Sequence, residues 1–239
     1  MLLLNLFKEK LGKYFVLLVL LFSLTFSVIV PPAGFLKKIQ ELCQKHNVLL
    51  ICDEIQTGLG RTGKMLASDY EDVKADVLIL GKALSGGFYP VSAVLSSKEI
   101  MLCIRPGEHG STFGGNPVAC AVAMEAIQVI LDEKLVENAF EMGNLFRERL
   151  ISFNIQLITE VRGKGLLNAI ELNVQQLEKE GKNAFDYCLA MMKNGLLAKP
   201  TRENVIRLAP PLCINRQEIE AACEIIRKSL SPNDCCLAR

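Results

Sequence analysis

Two short apolar runs, each followed at once by polar residues, constrain the fold of this chain more than any other feature. The first is VLLICDE, which begins at Val48, and the second spans Val77 to Leu80 and leads into Gly81 and Lys82. Both runs are rich in Val, Leu and Ile and too short for a free helix, so they predict strands that are buried on both faces. Strands of this kind are typical of a mostly parallel sheet flanked by helices.

Helical segments alternate with these strands and then become longer. Apolar residues between Phe35 and Cys43 recur at the spacing of one helical face, and a small apolar helix is expected from Pro117 to about Leu131. Beyond residue 136 the chain changes to amphipathic segments around a predicted strand, LLNAIEL. We therefore expect part of a large α/β domain over residues 31–136 and a smaller α+β domain over residues 137–239.

Asp53 and Lys82 stand at the ends of the two predicted strands. In an open parallel sheet, ligands bind beyond the carboxyl ends of the strands, so the two side chains are expected to share one crevice. The pair suits pyridoxal phosphate, because a lysine amine condenses with its aldehyde and an aspartate keeps its pyridine nitrogen protonated. Considered alone, each residue has a plainer interpretation: Asp53 as the cap of a turn, and Lys82 as a solvated lysine.

Six motifs extend this pattern along most of the chain. They are DEIQTGLGRTGK from Asp53, LGKALSGGFYPVSAVL from Leu80, GEHGSTFGGNP from Gly107, VRGKGLLNAIEL from Val161, NGLLAKPT from Asn194 and IRLAPPL from Ile206. Together, in this order and without large gaps, they resemble the class III pyridoxal-phosphate aminotransferases from about Val28 to about Leu230. The resemblance implies a partial large domain of a fold-type I pyridoxal-phosphate-dependent transferase, with a mostly parallel sheet and flanking helices, followed by a small C-terminal domain.

The same resemblance implies the chemistry of the site. Lys82 would bind the cofactor aldehyde and move a proton, Asp53 would hold the ring nitrogen, and Gln56 would donate a hydrogen bond to the phenolate oxygen of the ring. The implied reaction transfers the δ-amino group of ornithine to 2-oxoglutarate and leaves glutamate 5-semialdehyde. The implied compartment is the mitochondrial matrix or the cytoplasm.

The resemblance also implies roles for residues further along the chain than Lys82. Ser111 and Thr112 lie among glycines, where hydroxyls and main-chain amides are able to cradle a phosphate. In this family the loop completes the site of the neighbouring subunit, so a homodimer is implied. Arg207 would grip the carboxylate of the substrate, a task suited to a planar guanidinium. Without the resemblance, Ser111 and Thr112 are interpreted as part of an ordinary Gly/Pro-rich loop, and Arg207 as a surface cation. Gly163 and Gly165 are interpreted as structural residues of a tight turn.

The glycines from Gly58 to Gly63 mimic two nucleotide-binding motifs. They form GxGxxG after a strand, and the segment that ends at Lys64 matches GxxxxGK. A phosphate-binding loop requires Ser or Thr at the next position, where this chain has Met65. A dinucleotide fold requires a long helix after the glycines, whereas MLASDYEDV is short and polar. Nucleotide binding is therefore not expected.

Composition argues against other classes of partner. A net charge of +1, without a basic block interleaved with aromatic residues, argues against nucleic acid. The nine cysteines are scattered without the spacing of a zinc site. We therefore expect no metal and predict reduced thiols in an intracellular compartment.

The N-terminal segment does not fit the family. Residues from Tyr14 to Val30 carry no charge and follow Lys8, Lys10 and Lys13, a pattern typical of a signal anchor or a short membrane span. A buried core helix, or a segment with no native role in a truncated or misjoined sequence, is the alternative.

Three hypotheses about activity stay open from the sequence. They are an active aminotransferase, an inactive fragment that pairs with a full-length subunit, and a membrane-anchored interaction module. The family's phosphate loop and ring-stacking aromatic would precede Asp53 by more than the available length, so little turnover is expected from the chain alone.

Overall fold

The computed structural model describes residues 15–20 and 27–231. These residues divide into two compact units. The first holds residues 15–20, 31–59 and 65–133, and the second holds residues 27–30, 60–64 and 134–231.

A four-stranded sheet forms the centre of the first unit. Its spatial order is β1 (Phe15–Leu20), β2 (Val48–Asp53), β3 (Val77–Leu80) and β4 (Ala93–Ser96). The first three strands are parallel and β4 is antiparallel to β3, which confirms the predicted mostly parallel sheet. Three consecutive residues of β2 are buried, so this strand is covered on both faces as expected from its apolar run: Leu50, Ile51 and Cys52.

In the part of the first unit that the structure describes, three α-helices and two short 3₁₀-helices accompany this sheet. The α-helices are α1 (Phe35–Lys45), α2 (Lys98–Met101) and α3 (Pro117–Asp132), and the 3₁₀-helices span Ala67–Glu71 and Lys82–Ser85. Helix α1 buries Leu36 and Cys43 on one face, as its periodicity predicts, and also buries Gln40, whose Nε2 donates to the carbonyl of Lys74 at 3.0 Å. After the glycines that mimic a nucleotide loop, residues 66–76 contain only the first 3₁₀-helix and no long helix.

Of the predicted membrane segment at residues 14–30, the structure describes residues 15–20, which form a strand, and residues 27–30, which form no helix. Phe15–Leu20 forms β1 and pairs in parallel with β2, from Phe15 opposite Val48 to Leu20 opposite Asp53. Within residues 15–20 and 27–231, no helix has the length and apolar character needed to cross a membrane. Residues 14 and 21–26 of the predicted segment lie outside the described residues.

Among its described residues, the second unit combines an antiparallel sheet with four helices, in agreement with the predicted α+β class. The strands are β5 (Ile158–Lys164), β6 (Leu167–Leu172), β7 (Lys199–Pro200) and β8 (Val205–Leu208), in the spatial order β5-β6-β8-β7. The helices are α4 (Leu135–Ser152), α5 (Val174–Glu180), α6 (Ala184–Lys193) and α7 (Arg216–Leu230). Side chains from α4, α6, α7 and the central strands form one apolar core, which includes Phe146, Ile170, Met191, Ile206 and Ile226.

Two glycines allow main chains of the second unit to approach very closely. A Cβ at Gly143 of α4 would lie 1.9 Å from the carbonyl oxygen of Gly165, in the turn between β5 and β6. A Cβ at Gly165 would lie 2.2 Å from the carbonyl carbon of Thr62, and Gly165 has a φ of 51°. No side chain fits at either position, because the neighbouring atoms belong to the backbone. The tight turn predicted from Gly163 and Gly165 is thus held against both α4 and the segment at residues 60–64.

Candidate active site

Asp53 lies at the carboxyl end of β2, and one of its two carboxylate oxygens accepts no hydrogen bond from residues 27–231. It is the last residue of the strand and lies in register with Ile79 of β3. Its Oδ1 accepts a hydrogen bond from the main-chain amide of Ile55 at 3.0 Å. No group in residues 27–231 donates to Oδ2, and the side chain is only half-buried. An oriented carboxylate with one available oxygen is suited to accept a hydrogen bond from a ligand N–H.

Lys82 begins the turn that follows β3. Gly81 is extended, and Lys82 opens the 3₁₀-helix Lys82–Ser85 with a φ of 46°. A left-handed conformation costs a non-glycine residue about 1 kcal/mol or more, so the surrounding turn must impose it. The backbone therefore changes direction at this lysine, as is common at functional sites.

The ends of β2 and β3 bring these two residues to one edge of the sheet. The amide of Glu54 donates to the carbonyl of Ile79 at 2.9 Å, which ties the two strand ends together. Gln56 lies on the loop after Asp53, is half-buried, and makes no hydrogen bond through its side chain within residues 27–231. A carboxylate, an amide and an amine at adjoining strand ends match the donors and acceptors of pyridoxal phosphate, so the residues present fit this group.

Glu54 is a site residue whose role the sequence did not reveal. Its side chain is only 1% exposed. The carboxylate accepts hydrogen bonds from the Thr57 hydroxyl and from the main-chain amides of Ala67 and Ser68, at 3.1 and 2.9 Å for the two amides. It thus holds the loop after β2 closed directly beside Asp53. The sequence offered one signal for this role, a second acid at the end of a buried strand, because an unpaired charge there would be costly.

Glu54→Gln is expected to destabilise the chain by about 1–3 kcal/mol, because the new amide NH₂ would face main-chain N–H groups and leave a buried donor unsatisfied. Denaturant unfolding would measure the loss. The control is Glu71→Gln, since Glu71 also accepts two main-chain hydrogen bonds, from Gly34 and Lys37, at a less buried position. Equal losses for the two variants would contradict the burial argument.

Ser111 and Thr112 lie on an exposed loop of the first unit. The loop closes through a hydrogen bond from the Gly114 amide to the Ser111 carbonyl at 3.3 Å, and Asn116 then caps α3 through the amide of Ala119. Both hydroxyls are exposed, and neither is hydrogen-bonded within residues 27–231. The adjoining Phe113 is 76% exposed, so this loop presents both polar and apolar groups to solvent.

Arg207 belongs to the second unit, where it lies in β8. It is half-buried and stands opposite Ala169 of β6 and Lys199 of β7. The first unit also contains a cavity of about 740 Å³, which is not the candidate cofactor site. Leu78, Leu95, Ser96 and Ile100 contribute to its lining, and neither Asp53 nor Lys82 does.

A strand-end aspartate and lysine on a mostly parallel sheet define a candidate cofactor site of the fold-type I kind. The family model Aminotransferase class-III matches residues 27–230, so the chain belongs to the class III aminotransferases. This confirms the resemblance drawn from the six motifs.

Individual relatives give more detail. The chain is 57% identical over 203 residues to the mitochondrial ornithine aminotransferase of Drosophila melanogaster, covering 85% of this chain and 46% of that protein. The rat mitochondrial ornithine aminotransferase is 54% identical over 203 residues, with 85% and 45% covered. The chain therefore spans about half the length of the curated relatives it matches.

Solved structures agree with this assignment. The ornithine aminotransferase of Toxoplasma gondii ME49 superposes with a TM-score of 0.82 at 46% identity, over 87% of this chain and 49% of that chain. The acetylornithine aminotransferase of Elizabethkingia anophelis gives a TM-score of 0.86 at 52% identity, over 96% of this chain and 57% of that chain.

Proposed function

We propose that this chain carries the cofactor-binding lysine of an ornithine aminotransferase. The activity would transfer the δ-amino group of ornithine to 2-oxoglutarate with pyridoxal phosphate and release glutamate 5-semialdehyde. The observation that carries the proposal is the placement of Asp53 and Lys82 at the carboxyl ends of neighbouring parallel strands in a class III aminotransferase chain. Identities of 57% and 54% to two ornithine aminotransferases support the choice of substrate.

Three side chains of the first unit would hold the cofactor. Pyridoxal phosphate, when bound, supplies an aldehyde and an electron-withdrawing ring. Asp53 would keep a proton on the ring nitrogen through its available Oδ2, while the Ile55 amide fixes Oδ1. Gln56 would donate its amide N–H to the phenolate oxygen. Lys82 would hold the aldehyde through Nζ, and its amine would carry a proton to and from the carbon that bears the donor's amino group.

A second copy of the chain would complete the site. The exposed hydroxyls of Ser111 and Thr112 are available to accept the cofactor phosphate of a partner subunit, which supports a homodimer. Arg207 would bind a carboxylate of the substrate.

We also propose that the chain divides into a partial large domain over residues 31–136 and a small domain over residues 137–239. The relatives named as mitochondrial support a mitochondrial location.

Formation of glutamate 5-semialdehyde from ornithine and 2-oxoglutarate, with pyridoxal phosphate added, tests the proposal directly. We expect a small amount of product that depends on Lys82, since little turnover is expected from the chain alone, and Lys82→Ala serves as the blank. N-acetylornithine is the comparison donor, because the 52% identity to an acetylornithine aminotransferase makes it the second candidate. Product that persists in Lys82→Ala would reject the role of this lysine, and a preference for N-acetylornithine would reassign the donor.

A further inference from the structure

The loop after β2 divides its residues between the interior of the first unit and the candidate site. Glu54 and Thr57 are only 1% and 0% exposed. Asp53 precedes this pair, Gln56 lies within it, and both are half-buried. The Thr57 hydroxyl donates to Oε2 of Glu54, so the loop is closed from its buried side. The Glu54–Thr57 pair therefore fixes the backbone that carries the two residues assigned to the cofactor ring.

The main chain closes at the same point. The amide of Gly58 donates to the carbonyl oxygen of Glu54 at 2.9 Å, and a Cβ at Gly58 would lie 2.9 Å from that oxygen. A residue larger than glycine would therefore force the turn at residues 54–58 apart. Because one side-chain bond and one main-chain bond close this turn, the backbone of Gln56 between them is held in place.

The closed turn also lies against the chain that leads to Lys82. A Cβ at Gly58 would be 3.3 Å from Cδ2 of Leu80, and a Cβ at Gly81 would be 3.4 Å from Cγ2 of Ile55. Leu80 ends β3, and Gly81 directly precedes Lys82. Displacement of the turn would therefore also disturb the backbone next to the lysine.

Glu54 keeps hydrogen-bond donors when the Thr57 hydroxyl is removed. Its Oε2 also accepts from the amide of Ala67 at 3.1 Å, and its Oε1 accepts from the amide of Ser68 at 2.9 Å. Thr57→Val thus leaves no buried carboxylate without a donor. It removes the side-chain bond that closes the turn and little else.

We propose that Thr57 is a positioning residue: bonded to Glu54, it fixes the turn that presents Gln56 to the cofactor, and so sets how tightly the adduct of Lys82 with pyridoxal phosphate holds its proton. The inference rests on the proposed function, in which Gln56 donates to the phenolate oxygen of the ring. A donor at that oxygen stabilises its negative charge and weakens its attraction for the proton shared with the lysine nitrogen. A displaced Gln56 would leave that proton more firmly bound.

A pH titration of the adduct tests the role of Thr57. The full chain is incubated with pyridoxal phosphate, and the visible absorption of the adduct is followed as the pH rises. We expect the midpoint to rise by about 0.5–1 unit in Thr57→Val, as for the loss of one hydrogen bond. Thr57→Ser, which keeps the hydroxyl, should restore the wild-type midpoint.

A double variant shows whether Thr57 acts through Gln56. Gln56→Leu should raise the midpoint at least as far as Thr57→Val does, because it removes the donor itself. Addition of Thr57→Val to Gln56→Leu should raise the midpoint no further, since both changes remove the same hydrogen bond to the ring. Fully additive rises would overturn the proposal.

Ser96→Ala is the matched control for a structural effect. Ser96 also donates a hydroxyl hydrogen bond within the first unit, to the carbonyl oxygen of Asp76 at 2.5 Å. It stands in register with Val77 at the start of β3, whereas Lys82 follows the end of that strand. The midpoint of Ser96→Ala should match the wild-type value. A midpoint that follows Tm across all these variants would contradict a positioning role for Thr57.

Borohydride reduction and peptide mapping of the same preparations report the proposed function independently. An adduct at Lys82 with an unchanged midpoint in Thr57→Val rejects the positioning role and leaves the function standing. A wild-type chain that forms no adduct at Lys82 rejects the function, and this role with it.

Discussion

Lys82→Ala is expected to abolish covalent attachment of pyridoxal phosphate to this chain. Incubation with the cofactor, reduction with borohydride and peptide mapping should place a pyridoxyl group on the wild-type peptide that contains Lys82. The reason is positional. Lys82 follows β3 in a constrained left-handed turn, and Asp53 ends the adjacent parallel strand. A ring nitrogen held by Asp53 would direct the aldehyde to one amine rather than to many.

Lys98 provides the control, because it is an exposed lysine of the same unit at the start of α2. Lys98→Ala should leave the labelling of Lys82 unchanged. Label spread evenly over surface lysines, at equal yield in wild type and Lys82→Ala, would contradict the assignment. Asp53→Asn should reduce the yield at Lys82 without moving the label elsewhere, since it removes the charge and keeps the shape.

Gly165→Ala is expected to cause a large loss of stability in the second unit. Its Cβ would overlap the backbone of Thr62 and Gly63, at 2.2 Å from the Thr62 carbonyl carbon and 2.5 Å from the Gly63 nitrogen. Backbone atoms cannot move aside as a side chain does, so strain of about 3 kcal/mol adds to the left-handed conformation's cost of about 1–2 kcal/mol. Thermal unfolding should show a Tm lowered by roughly 10 °C or more.

Gly181→Ala separates the two contributions. Gly181 has a φ of 62°, close to the 51° of Gly165, but nothing lies within 4 Å of its added Cβ. Its substitution should therefore cost only the conformational part, about 1–2 kcal/mol. Gly143→Ala should also be strongly destabilising, because its added Cβ would lie 1.9 Å from the carbonyl oxygen of Gly165, which is again a backbone atom. Similar Tm values for Gly165→Ala and Gly181→Ala would mean that the backbone relaxes and the clash is not real.

Local sequence patterns were sufficient for the elements around the candidate site. The Val77–Leu80 strand has the predicted bounds, and the strand from Val48 ends at Asp53, one residue earlier than its apolar and acidic run suggests. These elements were predictable because burial on both faces imposes a continuous apolar run, which few other structures require. The N-terminal segment was ambiguous for the same reason. An uncharged run suits a membrane span, yet it also suits the parallel strand that Phe15–Leu20 forms beside β2.

Residue type, order and spacing by themselves determined the family, the two strand ends and the identity of the candidate residues Asp53, Gln56 and Lys82. The tertiary structure alone decided which distant groups contact one another. Glu54 closes its loop by accepting amides 13 and 14 residues away, and Arg61 reaches carbonyls 105 and 149 residues away. The pairing of Lys199 with Arg207 depends on strand register. Such partners cannot be inferred from local periodicity, because it specifies which face of an element is buried and not which distant residue lies opposite it.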